Sequence, residues 1–515
     1  MTIALAFTLL TADYDFLIRN ARVVDGTGQP AFTADVAIAQ GRIAKVGKLG
    51  KKTTATRVID AKGRVVAPGF IDIHTHAEGG IDANPGAANF LLDGVTTIVT
   101  GNCGSSRPDL AAWFKKLEEQ KIGINLASLY GHNTLRVGVM GNDGKPATPE
   151  QMKRMEAGLE KAMRDGAVGF STGLEYVPGM FVAPEEIIGL AKIAAQHQGL
   201  YTTHMRDEGA KVLDSLEESL RVGQEAGVRV QISHLKQDTK KHWGMAKEML
   251  ARIDRARREG VDVFADQYPY TRSSTSLSIR VPQWSVEGGL AGLQRRLKDS
   301  EQRAKIKAGM LEMLRGRGLA DYSYATVASA GGNKALEGKT ISAINLERGR
   351  PATAEDEAET VLDILATQDP GMVYHVMSDD DVDRIMVDPY IAVASDGGVR
   401  TFGEGNPHPR SYGTNARILA EYVRNRKVLT LEQAIRKMTG LPAEIFRFKD
   451  RGTVKEGAIA DLVLFDPAKV QDKSTFARPH QYSTGFDLVL VGGEVAAENG
   501  QPAAQRHGKV IRRGS

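Results

Sequence analysis

The 515-residue sequence predicts an α/β protein, a (β/α)8 barrel with a small β-sandwich built from both chain ends. Three observations lead there. From residue 67 to about residue 445, short apolar runs alternate with amphipathic helical stretches, the pattern of repeated parallel βαβ units. Both ends instead carry near-alternating apolar positions broken by glycine turns, as antiparallel hairpins do. Finally, ligand-type side chains fall at the C-terminal ends of the apolar runs, the face on which such barrels carry active sites.

Residues 1–66 form the first part of the sandwich, in the runs Asp15–Asp25, Asp35–Gly47 and Arg57–Val66 with Gln-Gly and Lys-Gly turns. Residues 446–515 supply the second part through Gly452–Asp466 and Leu488–Val495. Within 67–445 the expected barrel strands are Ala67–His76, Thr96–Thr100, Ala127–Tyr130, Ala167–Ser171, Leu200–His204, Val228–His234, Val261–Asp266 and Ile391–Asp396. Pro184 with Glu185 and Glu186 opens a helix, since proline suits the first turn and acids suit its positive end. Residues 280–350 break the rhythm with a charged helix, Leu290–Gly316, and a loop, Ser329–Asn333. This segment reads as an insertion, a lid over the barrel mouth.

Composition excludes several classes. At 42% hydrophobic and 25% charged the chain is an ordinary globular protein. Its net charge of +4 is spread over both signs with no basic run, so neither nucleic acid nor a membrane surface is an expected partner. The expected partner is a small-molecule substrate, and the expected assembly a monomer or small homo-oligomer. The single cysteine rules out an internal disulfide and suits a reducing, cytoplasmic setting. The opening MTIALAFTLLTADYDF is apolar, lacks a leading Lys or Arg and is too short to span a bilayer. It is either a lead-in strand or the remnant of a trimmed signal, which would make the protein exported.

The chemistry gathers at the strand ends. In Ala67-Pro-Gly-Phe-Ile-Asp-Ile-His-Thr-His76 the two histidines are i and i+2 on a strand, so both imidazoles face one side. Cys103 follows the second strand in Gly-Asn-Cys-Gly, flanked by turn residues that place it badly for filling a core. His204, His234 and Asp396 end later strands. A thiolate with two imidazoles makes a three-ligand site that leaves a position open for water. His74, His76 and Asp396 make an adjoining one. His197 falls at a helix end, whereas His132, His242, His375 and His408 sit near loops that could line the pocket.

The motifs PGFIDIHTH, GVTTIVTGNCG, GFSTGLEY, YTTHMRDEG, ISHLK, DQYPYTRSSTS, ASDGG and HPRSYG resemble the N-acyl-D-amino-acid deacylases (D-aminoacylases) of the amidohydrolase superfamily. The resemblance covers nearly the whole chain, and the cysteine of GNCG is its most specific element. It implies a tight zinc held by Cys103, His204 and His234, and a second, weaker position at His74 and His76. It implies that Asp396 is both a metal-side residue and the general acid/base. It also implies that Lys236, Tyr270 and Ser276 grip the substrate α-carboxylate, the serine being open among Ser273, Ser274 and Ser276. After HTH the chain reads Ala77-Glu-Gly-Gly80 where relatives often carry paired aspartates, a departure bearing on substrate preference.

The chemical expectation is hydrolysis of the amide bond of N-acyl-D-amino acids. An amide is a poor electrophile, and Zn²⁺ both polarises its carbonyl and lowers the pKa of bound water to about 7. Asp396 would move the proton from water to the departing nitrogen. Arg206, Asp207 and Glu208 follow His204 as supports for it or as a salt-bridged helix start. Arg272, Arg280 and Arg410 are the cations that could meet an acidic substrate side chain. The alternatives are a cyclic amidase, dipeptidase or deaminase of the same superfamily, or a non-catalytic barrel scaffold.

Overall fold

A computed structural model describes residues 12–514. The apolar residues 1–11, read as a lead-in strand or signal remnant, lie outside the described part. The first strands are β1 (Tyr14–Val23), β2 (Phe32–Ala39), β3 (Arg42–Gly47), β4 (Ala55–Asp60) and β5 (Val65–Pro68). The barrel follows with β6 (Phe70–Asp72), β7 (Val95–Thr100), β8 (Asn125–Ser128), β9 (Tyr130–Gly131), β10 (Gly169–Gly173), β11 (Leu200–His204), β12 (Arg229–Ile232) and β13 (Val263–Gln267). Then come β14 (Arg272–Ser276), β15 (Ala325–Ser329), β16 (Gly371–His375), β17 (Ile391–Val393), β18 (Leu462–Phe465), β19 (Phe486–Val491), β20 (Glu494–Glu498) and β21 (Gln501–Pro502).

The two ends of the chain meet where β5 pairs antiparallel with β18, Val66 opposite Leu464. Strands β1–β5 and β18–β21 are thereby joined in one nine-stranded sheet. Alternate residues of strands from both ends, among them Phe16, Ile18, Val36, Ile38, Leu462, Leu464, Leu488 and Leu490, bury into one apolar cluster. The sandwich is thus a single sheet folded over a shared core.

The barrel is closed by parallel pairing throughout. The order runs β6-β7-β8 and, past Leu129, β9-β10-β11-β12-β13-β17. Thr75 then pairs with Gly397, and the Asp396 amide donates to the His74 carbonyl at 2.8 Å. The strands are buried on both faces, as parallel strands covered by helices are. Ile98, Val263 and Ala265 point outward into the helix-covered core. Val99, Phe264 and Ala392 point into the barrel axis. The same period of two carries Leu200 inside, then Thr202, then His204 at the strand's C-terminal end.

Between β13 and β17 lies the inserted unit. Its β14, β16 and β15 form a three-stranded antiparallel sheet, flanked by helices Gly289–Leu297, Ser300–Gly316, Ile341–Glu347 and Ala354–Leu365. The sequence predicts helices and loops here but no strands. Arg272-Ser-Ser-Thr-Ser276 is too polar to show an apolar alternation, and only pairing with β16 makes it a strand.

Asp93 ties these layers together. Buried before β7, it accepts from the Asn415 amide at 2.8 Å, the Asn415 side chain at 3.0 Å, the Ala416 amide at 3.0 Å and the Ser483 hydroxyl at 2.7 Å. Asp93→Ala leaves those buried donors without an acceptor and destabilises the fold by about 3–5 kcal/mol. Chemical denaturation checks this; a loss under about 1 kcal/mol would contradict the anchoring role.

Candidate metal centre

All six sequence-identified ligand candidates converge at the C-terminal mouth of the barrel. Cys103 Sγ lies 3.3 Å from His74 Nε2 and 3.7 Å from His234 Nε2. His204 Nδ1 is 2.9 Å from His234 Nε2. Asp396 Oδ1 sits 3.1 Å from His76 Nε2 and 3.7 Å from His74 Nε2. Cys103–His204–His234, His74–His76–Cys103 and His74–His234–Asp396 each bring their donor atoms within 4.8 Å of one another. These overlapping groups suit two adjoining cation positions, and a thiolate with imidazoles is the donor set of Zn²⁺.

The local backbone is bent to deliver them. Cys103, His234 and Asp396 adopt left-handed conformations, with φ of 53°, 36° and 51°. Such geometry costs free energy for residues with a Cβ, and it persists where surrounding structure enforces it. Glycines make the Cys103 turn: a Cβ on Gly101 would meet the Leu129 carbonyl oxygen at 2.3 Å, and one on Gly104 the Gly173 nitrogen at 2.8 Å.

Three carboxylates hold the imidazoles from behind. Asp266 accepts at 3.2 Å from His74 Nδ1 and at 2.9 Å from the His234 amide. Glu208 places Oε1 3.0 Å from His234 Nδ1 and Oε2 2.6 Å from Lys236 Nζ. Glu175 Oε2 lies 2.9 Å from His204 Nε2. Asp266 and Glu175 thus engage ring nitrogens turned away from the cluster, which fixes those tautomers and aims their free lone pairs inward, whereas His234 Nδ1 also faces the Lys236 ammonium at 2.8 Å. Of these acids, the sequence singles out only Glu208, shortly after His204 in the chain. Asp266→Asn keeps the shape but weakens the hold on His74, and should lower zinc affinity about 10–100-fold. Competition with a coloured chelator measures it; unchanged affinity would contradict the orienting role.

The electrostatics favour bound cations. Burial opposes ionisation of the Cys103 thiol, but the charge of His74 and hydrogen bonds from the neighbouring histidines outweigh it and hold the thiol well below its ordinary value. Burial likewise opposes the Asp396 carboxylate, yet Arg410, His74 and His76 hold it well below the usual range. In return, and against their own burial, His204 is raised to about 10, chiefly by Glu208, and His76 to about 9, chiefly by Asp396. A cluster that draws protons so strongly onto imidazoles is one in which positive charge is wanted.

The centre opens into a cavity of about 290 Å³ lined by Lys236, Tyr268, Ser273, Ser274, Arg280, Arg400 and Arg410, among others. Lys236 lines the cavity, its ammonium 2.6 Å from Glu208 Oε2 and donating to the His234 carbonyl at 3.0 Å. Tyr270 does not line it: its ring packs on His408 at 5.0 Å, behind the cavity wall. The Tyr270 amide bonds back to the Tyr268 carbonyl at 3.0 Å, so a turn replaces strand alternation and Tyr268 faces the cavity instead. Its hydroxyl is buried without a partner. Ser276 is displaced as well; β14 carries it past this cavity to the wall of an adjoining chamber, where its hydroxyl is 3.2 Å from that of Ser278. Arg410, which pairs with Asp396 at 2.9 Å, and Arg280 line the inner cavity. Arg272 does not, lying 4.2 Å over the Phe476 ring.

None of the loop histidines lines this cavity. His132 pairs with Glu186 at 2.8 Å, His408 Nε2 lies 3.0 Å from the Arg272 carbonyl oxygen, and His197 pairs with Glu160 at 2.9 Å. Behind His204, Arg206 bonds Glu218 at 2.7 Å, while Asp207 caps the Gly209 and Lys211 amides.

This architecture has close counterparts. The N-acyl-D-glutamate deacylase of Alcaligenes xylosoxydans xylosoxydans is 35% identical over 97% of this chain and 96% of its own. The D-aminoacylase of the same organism is 33% identical over 97% and 98%. Among solved structures, the N-acyl-D-glutamate deacylase of Bordetella bronchiseptica, complexed with zinc and a phosphonate mimic of the tetrahedral intermediate, superposes with a TM-score of 0.83 at 34% identity, covering 97% of this chain and 99% of that one. A D-aminoacylase crystal structure gives 0.84 at 33% identity, covering 97% and 100%. The amidohydrolase family profile matches residues 57–497. With its strand-end ligand cluster, its closed parallel barrel and a profile match spanning most of its length, the chain belongs to the amidohydrolase family.

Proposed function

We propose that the protein hydrolyses N-acyl-D-amino acids, releasing a carboxylate and a free D-amino acid. The observation that carries this reading is the pairing of a Cys-His-His donor set with a cationic pocket beside it. Cys103, His204 and His234 would hold the tighter zinc, and His74 and His76, with Asp396, the second position. Zinc bound there supplies Lewis-acid activation of water and of the scissile carbonyl.

The chain's own residues do the rest. Asp396, kept ionised by Arg410, takes the proton of the attacking water and delivers it to the departing nitrogen. Lys236, Arg400 and Arg410 make one end of the cavity cationic, suited to the substrate α-carboxylate. The Tyr268 and Ser274 hydroxyls serve there in place of Tyr270 and Ser276. A linear substrate with a free carboxylate matches this end better than a cyclic amide does. The D hand is supported by the relatives, whose names denote deacylases of D-amino acids.

The test is amine release by zinc-loaded protein from matched N-acetyl-D- and N-acetyl-L-forms of Met, Leu, Phe, Asp and Glu. Turnover of the D forms alone is expected. Equal turnover of both hands, or none of either, would overturn the reading and direct attention to cyclic amides and dipeptides.

A further inference from the structure

A second chamber, of about 610 Å³, adjoins the metal cavity. The two share Glu175, Tyr176 and Ile279 as a common wall, and Tyr176 reaches the metal side, its hydroxyl 3.3 Å from His204 Nδ1. We propose that this chamber seats the acyl chain of the substrate, and that the preferred substrates carry extended apolar acyl groups. This rests on the deacylase reading above.

The lining chemistry points that way. Most of the chamber's charged groups are already engaged by neighbours, and Lys211 and Asp214 are exposed to solvent. Arg206 is bonded to Glu218 at 2.7 Å and to the Met180 and Val182 carbonyls. Arg317 is bonded to Asp238 at 2.7 Å, and the Ser278 hydroxyl and amide both donate to Asp369. Set among the polar lining residues, Leu174, Val177, Met180, Val281, Leu290 and Met313 supply an apolar face that a ligand can meet. These come from the loop after β10 and from the inserted unit, so two separate parts of the chain converge on one apolar space.

Polarity along the two spaces sets the direction of the substrate. Lys236, Arg400 and Arg410 line only the inner cavity, not the outer chamber. A molecule with a carboxylate at one end, an amide at the metal centre and an acyl group at the other would lie with its charge among the cations. Its acyl group would then pass Tyr176 and Ile279 into the apolar chamber. An acetyl group leaves that chamber unused, because the inner cavity of about 290 Å³ is already large enough for a small ligand.

The experiment compares kcat/KM of the zinc-loaded enzyme for N-acetyl, N-hexanoyl and N-decanoyl derivatives of one D-amino acid. A gain of about three- to fourfold per added methylene is expected until the chamber is filled. Leu290→Glu, at a half-exposed position, and Met180→Glu should each lower the decanoyl-to-acetyl ratio at least tenfold. A flat profile with clear N-acetyl turnover would overturn the acyl assignment and leave the deacylase reading intact. A gain that follows the amino-acid side chain, from N-acetyl-D-alanine to N-acetyl-D-2-aminodecanoate, and not the acyl chain would also overturn it. Absence of turnover on every N-acyl-D-amino acid would remove the deacylase reading itself.

Discussion

Asp396→Asn lowers kcat on an N-acyl-D-amino acid by about 10²–10⁴-fold, the range that general acid/base catalysis supplies. The substitution keeps the size of the side chain and an oxygen near the Arg410 guanidinium, which now pairs with Oδ2 at 2.9 Å. The fold should therefore survive, and so should the zinc held by Cys103, His204 and His234. What is lost is the group that moves the proton between water and nitrogen. The signature is a fall in kcat with the zinc at Cys103, His204 and His234 retained and only a modest change in KM. A variant with kcat within threefold of the parent would remove Asp396 from the proton path.

Cys103→Ala should fail differently, by losing both the tight metal and the activity. The thiol is within 3.3 Å of His74 Nε2 and 3.7 Å of His234 Nε2, so its removal leaves an imidazole pair without the soft anion between them. Lewis-acid activation contributes several kcal/mol, and each 1.36 kcal/mol is a factor of ten in rate. The expected loss is thus on the order of 10³-fold or more. Compared with the zinc-free parent its thermal stability should change little, because Cys103 touches ligand-type side chains and belongs to no apolar cluster. A zinc-replete, fully active Cys103→Ala protein would sink the proposed ligand set.

The ligand candidates were legible because they obey a simple positional rule. Each of His74, His76, Cys103, His204, His234 and Asp396 stands just at or beyond the end of an apolar run, and in a parallel barrel those ends share one mouth. Asp266 obeys the same rule at the end of Val263–Gln267, yet an acid at a strand end is a common sight and carries no metal signature by itself. Only its contact with His74, a partner 192 residues away, reveals its part. Glu175 and Glu208 lie in loops, where spacing carries no periodicity that could aim them at His204 and His234.

The misplaced substrate residues share a cause. Tyr268 and Tyr270 are equivalent on an extended strand, and it is the turn across Pro269 that separates them. Ser273, Ser274 and Ser276 belong to β14, whose direction is set by β16, a strand about a hundred residues later. Register imposed by so distant a partner leaves no mark in a polar local sequence. The barrel itself was readable because its strands, buried on both faces, are short and mostly apolar runs set between helices.

The most direct test of the central claim is the zinc dependence of D-substrate hydrolysis. The protein is stripped with a chelator, its metal content verified, and turnover of an N-acyl-D-amino acid followed as zinc is added back. Activity should vanish on stripping and return in proportion to zinc bound at the Cys103–His204–His234 centre. Undiminished hydrolysis by verified metal-free protein would contradict the account.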